Sequence, residues 1–283
     1  MSKNDLHSSK DNVELMQNIT NEEIVNKIID TEEESKIVDK NKIILVIVYI
    51  ISTIIIAFSL FYCLNIYNQD GDIQELTENI QNYIKEDQSQ NSQDQKLKYA
   101  VDFNELNNIN SDVVGWLIVD GLEINMPVVQ TNNNDFYLKH SLDKSNNLSG
   151  WAFIDYRNKL DGLDKNIVIY GHNRHDNIIF SSLVNILNEE WYNNEENNQI
   201  MFINENGENI SYQIFSVYKI EPEDYYINTD FSSDKEFVKF LETLKKRSIK
   251  NYNINLDEKS QILTLSTCGK DRKSRVVLHA VKQ

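Results

Sequence analysis

Cys268 ends the run Ile262-Leu263-Thr264-Leu265-Ser266-Thr267, and seven residues later Arg275 opens the run Val276-Val277-Leu278. Two apolar, β-branched runs on either side of a short polar loop, Gly269 to Ser274, read as the strands of a hairpin. Such a hairpin would hold a thiol and a guanidinium side by side at one rim of a sheet. A thiol attacks carbonyls only as thiolate, which calls for a base or a cation beside it. A guanidinium there could stabilise the thiolate, hold a substrate carbonyl or stabilise a tetrahedral oxyanion. Arg272 is a rival for that role, but it sits in mid-loop, where geometry is less controlled. A base is offered by His172, because Ile167-Val168-Ile169-Tyr170 is an apolar strand and Gly171-His172-Asn173 its exit. The alternative is bland: Cys268 as a small buried hydrophobe, Arg275 as an edge residue and His172 as a structural strand end.

The chain must deliver these groups to a defined compartment. Residues from Ile43 to Leu64 carry no charged side chain and are dominated by Ile, Leu, Val and Phe. As a helix, these 22 residues would span roughly 33 Å, against about 30 Å for a bilayer core. A cleaved signal peptide fits less well, since the run is too long, begins late and is followed by no A-x-A-like site. Lys36, Lys40 and Lys42 precede the run closely, and no Lys or Arg follows between Asn65 and Ile84, so the N-terminus is expected in the cytoplasm. Everything after Leu64 would then be extracellular, where a lone thiol is conspicuous. The other cysteine, Cys63, lies inside the apolar run. A net charge of -16 without a basic stripe argues against nucleic acid as a partner.

Four regions are expected: a cytoplasmic tail at 1–42, a transmembrane helix at 43–64, an extracellular helical stalk and linker at 65–98, and a catalytic domain at 99–283. The tail holds six Lys against ten Asp or Glu and should be mostly mobile, apart from a short amphipathic helix around Ile24, Val25, Ile28 and Ile29. Ile73, Leu76, Ile80, Tyr83 and Ile84 predict an amphipathic helix over Asp72 to Lys85, followed by a polar linker from Asp87 to Gln95. A second short helix is predicted around Phe103, Leu106 and Ile109. These helices could form a stalk or pack onto the domain.

From Val113 onward the pattern is that of strands. Gly115 to Val119 and Ile124 to Val129 flank the turn signal Asp120-Gly121. Trp151 to Ile154, Ile167 to Tyr170, Ile200 to Ile203 and Ile210 to Ile220 follow, the last two joined through Asn206-Gly207. With the two terminal runs this makes about eight short strands, which favours a closed barrel. Leu183, Ile186 and Leu187 suggest a helix after Ser181 or Ser182. A clearer one has Ser233 and Glu236 as a capping box, Phe237, Phe240, Leu241 and Leu244 as its apolar face, and Lys245, Lys246 and Arg247 in its last turn. Of the remaining histidines, His7 precedes the apolar run, His279 lies within the last strand, and His140 and His175 lie in polar segments open to solvent.

Taken together, Thr264-Leu265-Ser266-Thr267-Cys268, Arg275-Val276-Val277 and Tyr170-Gly171-His172-Asn173 resemble the cysteine, arginine and histidine motifs of the sortases. Asp112-Val113-Val114-Gly115-Trp116-Leu117, Met126-Pro127-Val128-Val129-Gln130, Tyr137-Leu138 and Phe153-Ile154-Asp155-Tyr156-Arg157 resemble class B of that family. The resemblance covers the chain from about Asn104 onward. It implies a mainly β protein: an eight-stranded sortase-type β-barrel with N-terminal helices and a helix inserted between the sixth and seventh strands. It also implies a membrane-anchored cysteine transpeptidase of the Gram-positive surface, needing no metal and no cofactor. Cys268 would form a thioacyl enzyme with the sorting motif of a secreted protein, His172 would exchange protons with the leaving and incoming amines, and Arg275 would hold the substrate and its oxyanion. The accepting amine would come from peptidoglycan or its lipid-linked precursor. Asn134, Leu138, Tyr226, Ile227 and Ser266 correspond to substrate-binding positions. The loop after Cys268 is shorter than in several class B members, and Gly269 stands where some have an acidic residue. A peptidase that only hydrolyses the motif and a non-enzymatic surface receptor are the competing readings.

Overall fold

The computed structural model describes residues 3–86, 99–173, 178–268 and 273–283. The linker from Asp87 to Gln95, His175, Gly269 and Arg272 therefore lie outside the described residues. Two compact units are present, Met1–Tyr67 and Asn68–Gln283.

The first unit is formed by helix α1 (Lys3–Ile80), which also supplies the first residues of the second. The tail was expected to be mostly mobile, yet it is helical from Lys3 onward. No proline or glycine occurs between residues 3 and 70, so nothing in the covalent chain stops a helix once begun. Between residues 43 and 64 large apolar side chains are exposed on every side, Leu45 at 69% and Phe58 at 71% among them. By length and composition this helix could cross a membrane.

In the second unit α1 ends at Ile80 instead of running on to Lys85. Ile84–Glu86 forms strand β1, paired antiparallel with β2 (Tyr99–Val101), and these ladder bonds outcompete another helical turn. Helix α2 (Phe103–Ile109) begins at Asp102, whose carboxylate accepts the Glu105 amide. Ile80, Phe103 and Leu106 join the main apolar core, and Gln81 Nε2 donates to the Asn125 carbonyl at 2.7 Å. These segments pack onto the barrel.

The barrel strands are β3 (Val113–Val119), β4 (Ile124–Val129), β5 (Phe153–Ile154), β6 (Asn166–Tyr170), β7 (Gln199–Asn204), β8 (Asn209–Ile220), β9 (Ile262–Cys268) and β10 (Arg275–Lys282). They close in the order β10-β8-β7-β3-β4-β5-β6-β9. Gly121 and Gly207, at φ +70° and +80°, make the two hairpin turns that a Cβ would strain. All pairings are antiparallel except β4–β5 and β6–β9. Between Phe180 and β7, 3-10 turns (Ser181–Leu187) precede the short helix α3 (Glu189–Asn193).

Helix α4 (Asp234–Arg247) lies between β8 and β9, the sixth and seventh barrel strands. Ser233 Oγ accepts the Glu236 amide at 3.3 Å, while the Glu236 carboxylate takes the amide and hydroxyl of Ser232, so the reciprocal half of the capping box is displaced by one residue. Phe237, Phe240, Leu241 and Leu244 pack over Phe215, Tyr218, Ile262, Val277 and Val281 in a second core. Leu263, Leu265 and Leu278, at alternate positions, belong to the first. Strands β9 and β10 are thus buried on both faces: Leu263 and Leu265 point into the barrel, and Ile262 lies on the α4 side.

Candidate active site

The parallel pairing of β6 with β9 decides the geometry. Its register sets Tyr170 opposite Ser266, so the next position on the same face of each strand is His172 and Cys268. Parallel neighbours leave a sheet at the same rim, about 4.8 Å apart. On the other side of β9 the antiparallel register sets Arg275 opposite Cys268. Three adjacent chain segments therefore carry a histidine, a cysteine and an arginine across one rim, with the cysteine in the middle.

The exit of β6 is held from several directions. Gly171 donates its amide to the Ser266 carbonyl (3.3 Å), Thr267 Oγ1 donates to the Gly171 carbonyl (2.7 Å), and the Phe180 amide donates to the His172 carbonyl (3.2 Å). A Cβ on Gly171 would stand 2.5 Å from the Phe180 ring. The His172 ring is half-buried, and its Nε2 lies 2.9 Å from the Leu138 carbonyl. A carbonyl only accepts, so Nε2 carries the hydrogen and Nδ1 is the atom left to gain and lose a proton. Gly150 supports the same wall: at φ +63°, a Cβ there would sit 2.4 Å from the Tyr137 carbonyl and 3.0 Å from His172 Cδ2. Among the described residues the Arg275 guanidinium bonds the Ser274 carbonyl, at 3.2 Å.

The five expected substrate positions fall into two kinds. Asn134 and Leu138 are half-buried; Asn134 Oδ1 accepts the Tyr156 amide, and Leu138 reaches the site through its carbonyl. Tyr226 and Ser266 are each 3% exposed and bond one another through their hydroxyls at 2.9 Å. Ile227, half-buried, accepts at its carbonyl from Arg157 Nη2 (3.0 Å). That arginine belongs to a cluster whose chemistry the sequence reading did not assign. Asp155 is fully buried, pairs with Arg157 through Nε (2.8 Å) and Nη2 (2.6 Å), and accepts from the Tyr170 hydroxyl (2.8 Å). Burial alone would raise its carboxyl, yet the bonds from Arg157 and Tyr170 hold it below the usual carboxylate range. A charge pair two residues apart just after an apolar strand is the signal that could have revealed it.

The other described histidines of the second unit take no part at this rim. His140 was expected to face solvent, but it stacks on Phe136 with ring centroids 3.9 Å apart and bonds the Phe136 carbonyl through Nδ1. His279 is sealed in the core between Thr264 Oγ1 and the Tyr218 hydroxyl, each at 2.8 Å. Thr264 donates its one hydroxyl hydrogen to Asn166 Oδ1, so it accepts from His279 Nδ1–H, and Tyr218 donates to Nε2. Burial, helped by the Arg247 charge, lowers His279 to about 3.

A family model of the sortase domain matches residues 117–283. The chain therefore belongs to the sortase family, whose β-barrel enzymes are cysteine transpeptidases. Within the family it falls in class B. Sortase B of Staphylococcus aureus is 38% identical over 166 residues, 59% of this chain and 67% of that protein. The crystal structure of Clostridium perfringens sortase B is 36% identical with a TM-score of 0.61, covering 64% of this chain and all of that one. A sortase B structure complexed with triglycine is 35% identical with a TM-score of 0.59, covering 64% of this chain and 85% of that one.

Proposed function

We propose that Cys268 is the nucleophile, His172 the proton carrier and Arg275 the group that holds the substrate carbonyl and its oxyanion. The register that sets positions 172, 268 and 275 on three neighbouring segments at one rim carries this reading. The Cys268 thiolate attacks the scissile carbonyl of a sorting motif near the end of a secreted protein. The tetrahedral oxyanion collapses to a thioester as the leaving amine takes a proton from the His172 imidazolium. An incoming amine then gives its proton to the neutral imidazole, attacks the thioester and releases the thiolate. The sortase B crystallised with triglycine supports an oligoglycine-type amine as acceptor, which in the cell would belong to peptidoglycan or its lipid-linked precursor. Asn134 and Leu138 line the peptide's path, with Tyr226, Ile227 and Ser266 forming its supporting wall. The exposed apolar helix at 43–64 is a membrane anchor, with residues 1–42 cytoplasmic, 65–98 a connecting segment and 99–283 the extracellular catalytic domain.

The test uses the full chain in detergent with a fluorogenic pentapeptide library and triglycine as acceptor. Transfer of the acyl fragment to triglycine, abolished in Cys268→Ala, is expected. Cleavage that is indifferent to triglycine would instead mark a hydrolase, and transfer surviving Cys268→Ala would refute the assignment.

A further inference from the structure

Immediately beneath the rim, a closed ring of contacts joins the elements that bear on the site. Tyr170 and Ser266, opposite one another on β6 and β9, each stand two positions before His172 and Cys268. From Tyr170 the ring runs through its hydroxyl to Asp155, and from Asp155 by two bonds to Arg157. Arg157 Nη2 continues it to the Ile227 carbonyl (3.0 Å), and the neighbouring Tyr226 returns it to Ser266 Oγ (2.9 Å). The segment Tyr225–Ile227 lies in the connection between β8 and α4, outside the strand ladders, so side chains must hold it. Its attachments include the hydroxyl pair at Tyr226, a 3.4 Å approach of Asn166 Nδ2 to the Tyr226 carbonyl, and the guanidinium on Ile227.

We propose that Arg157 is a positioning residue that fixes the Tyr226–Ile227 wall of the peptide groove, and so determines how tightly an extended sorting peptide is held without taking part in bond making. This rests on the reading of the groove given above. Guanidinium geometry is the reason for arginine here. One edge of the fork grips both carboxylate oxygens, and Nη2 still has a hydrogen for the carbonyl; an ammonium has neither the reach nor the plane to do both. Asp155 serves as the fixed post. It is fully buried, held also by the Arg157 amide at 3.0 Å, and its ionised form is favoured, so the fork cannot swing away from the rim.

The variant to make is Arg157→Lys, because Arg157→Ala would strand a buried carboxylate and endanger the fold. Two measurements on the full chain in detergent decide the matter. Hydrogen exchange should speed up at least tenfold at the Asn228 amide, which bonds the Tyr225 carbonyl, while α4 exchange stays as in the parent. With the best pentapeptide from the library and triglycine, KM for the pentapeptide should rise about tenfold with kcat within twofold. The pH profile of Cys268 alkylation by iodoacetamide should be unmoved, since Arg157 acts on the groove wall and not on the reacting groups. An unchanged KM in the folded variant overturns the proposal, as does a fall in kcat or a shifted alkylation profile. If the parent chain transfers no peptide at all, the functional reading fails, and unaltered exchange at Asn228 would then separately overturn the clamp.

Discussion

Two histidines of the same sheet are treated in opposite ways. His279 has both ring nitrogens satisfied by hydroxyls and no exposed surface. His172 has one nitrogen pinned to a main-chain carbonyl and its ring half-open to the rim. The first is sealed as a neutral spacer, and the second, under the proposed mechanism, keeps one ring nitrogen for proton transfer. Position along a strand makes the difference: His279 pairs with Thr264 in mid-ladder, whereas His172 lies two residues beyond the last paired residue of β6.

The contrast breaks if the two residues fail in the same way. His172→Ala should lower transfer by about 10²–10⁴-fold and change stability by less than about 1 kcal/mol, read by steady-state kinetics and denaturant melts. His279→Ala should do the reverse. It leaves the Tyr218 hydroxyl and Thr264 without their partner in a full core, a loss of about 3 kcal/mol, while transfer by the folded fraction keeps its KM. The pH dependence sharpens this further. An unfolded histidine binds a proton below about pH 6.5, whereas folded His279 does so only near 3. The unfolded state therefore holds more protons in that window, and stability should fall as pH drops from about 6.5 toward 3. His279→Gln should flatten that slope in melts taken across the range.

Smaller effects test the supports. Gly150→Ala forces a Cβ into the Tyr137 carbonyl and against His172 at a positive φ, so about 2 kcal/mol of stability should go, with reduced transfer. Ser233→Ala removes the cap of α4 and should cost about 1 kcal/mol without altering kcat.

Much of this was legible in the sequence because local chemistry encodes it. Asp120-Gly121 and Asn206-Gly207 are turns, the Ser233–Arg247 stretch is the capped helix it resembles, and the terminal hairpin pairs Cys268 with Arg275 as its two apolar runs imply. Strand partnership between distant segments is another matter. Nothing in Ile167–Tyr170 says that its neighbour is Ile262–Ser266, or that the two run parallel, because side-chain pattern records burial and not partner. The Asp155–Arg157 pair lies within a class B-like motif, but the carbonyl it holds is 70 residues away in sequence, which no local pattern records. Tyr226 and Ser266 correspond to substrate positions only through the family resemblance, and the bond between their hydroxyls joins residues 40 apart, beyond any local pattern. Helix α1 outran the expectation for the tail because low hydrophobicity does not by itself forbid helical φ and ψ.

The parallel β6–β9 seam also has a temporal side. It joins Asn166 to Ile262, 96 residues apart along the chain (262 − 166), whereas the β7–β8 and β9–β10 hairpins join near neighbours. Closing so long a loop costs entropy before any contact offsets it, so such seams form late in folding. In pulse-labelled refolding, the Gly171 amide should gain protection after the amides of the β7–β8 hairpin. Positions 172 and 268 would then share a rim only once the barrel has shut, so under the proposed mechanism an incompletely folded chain would carry both groups without a working site.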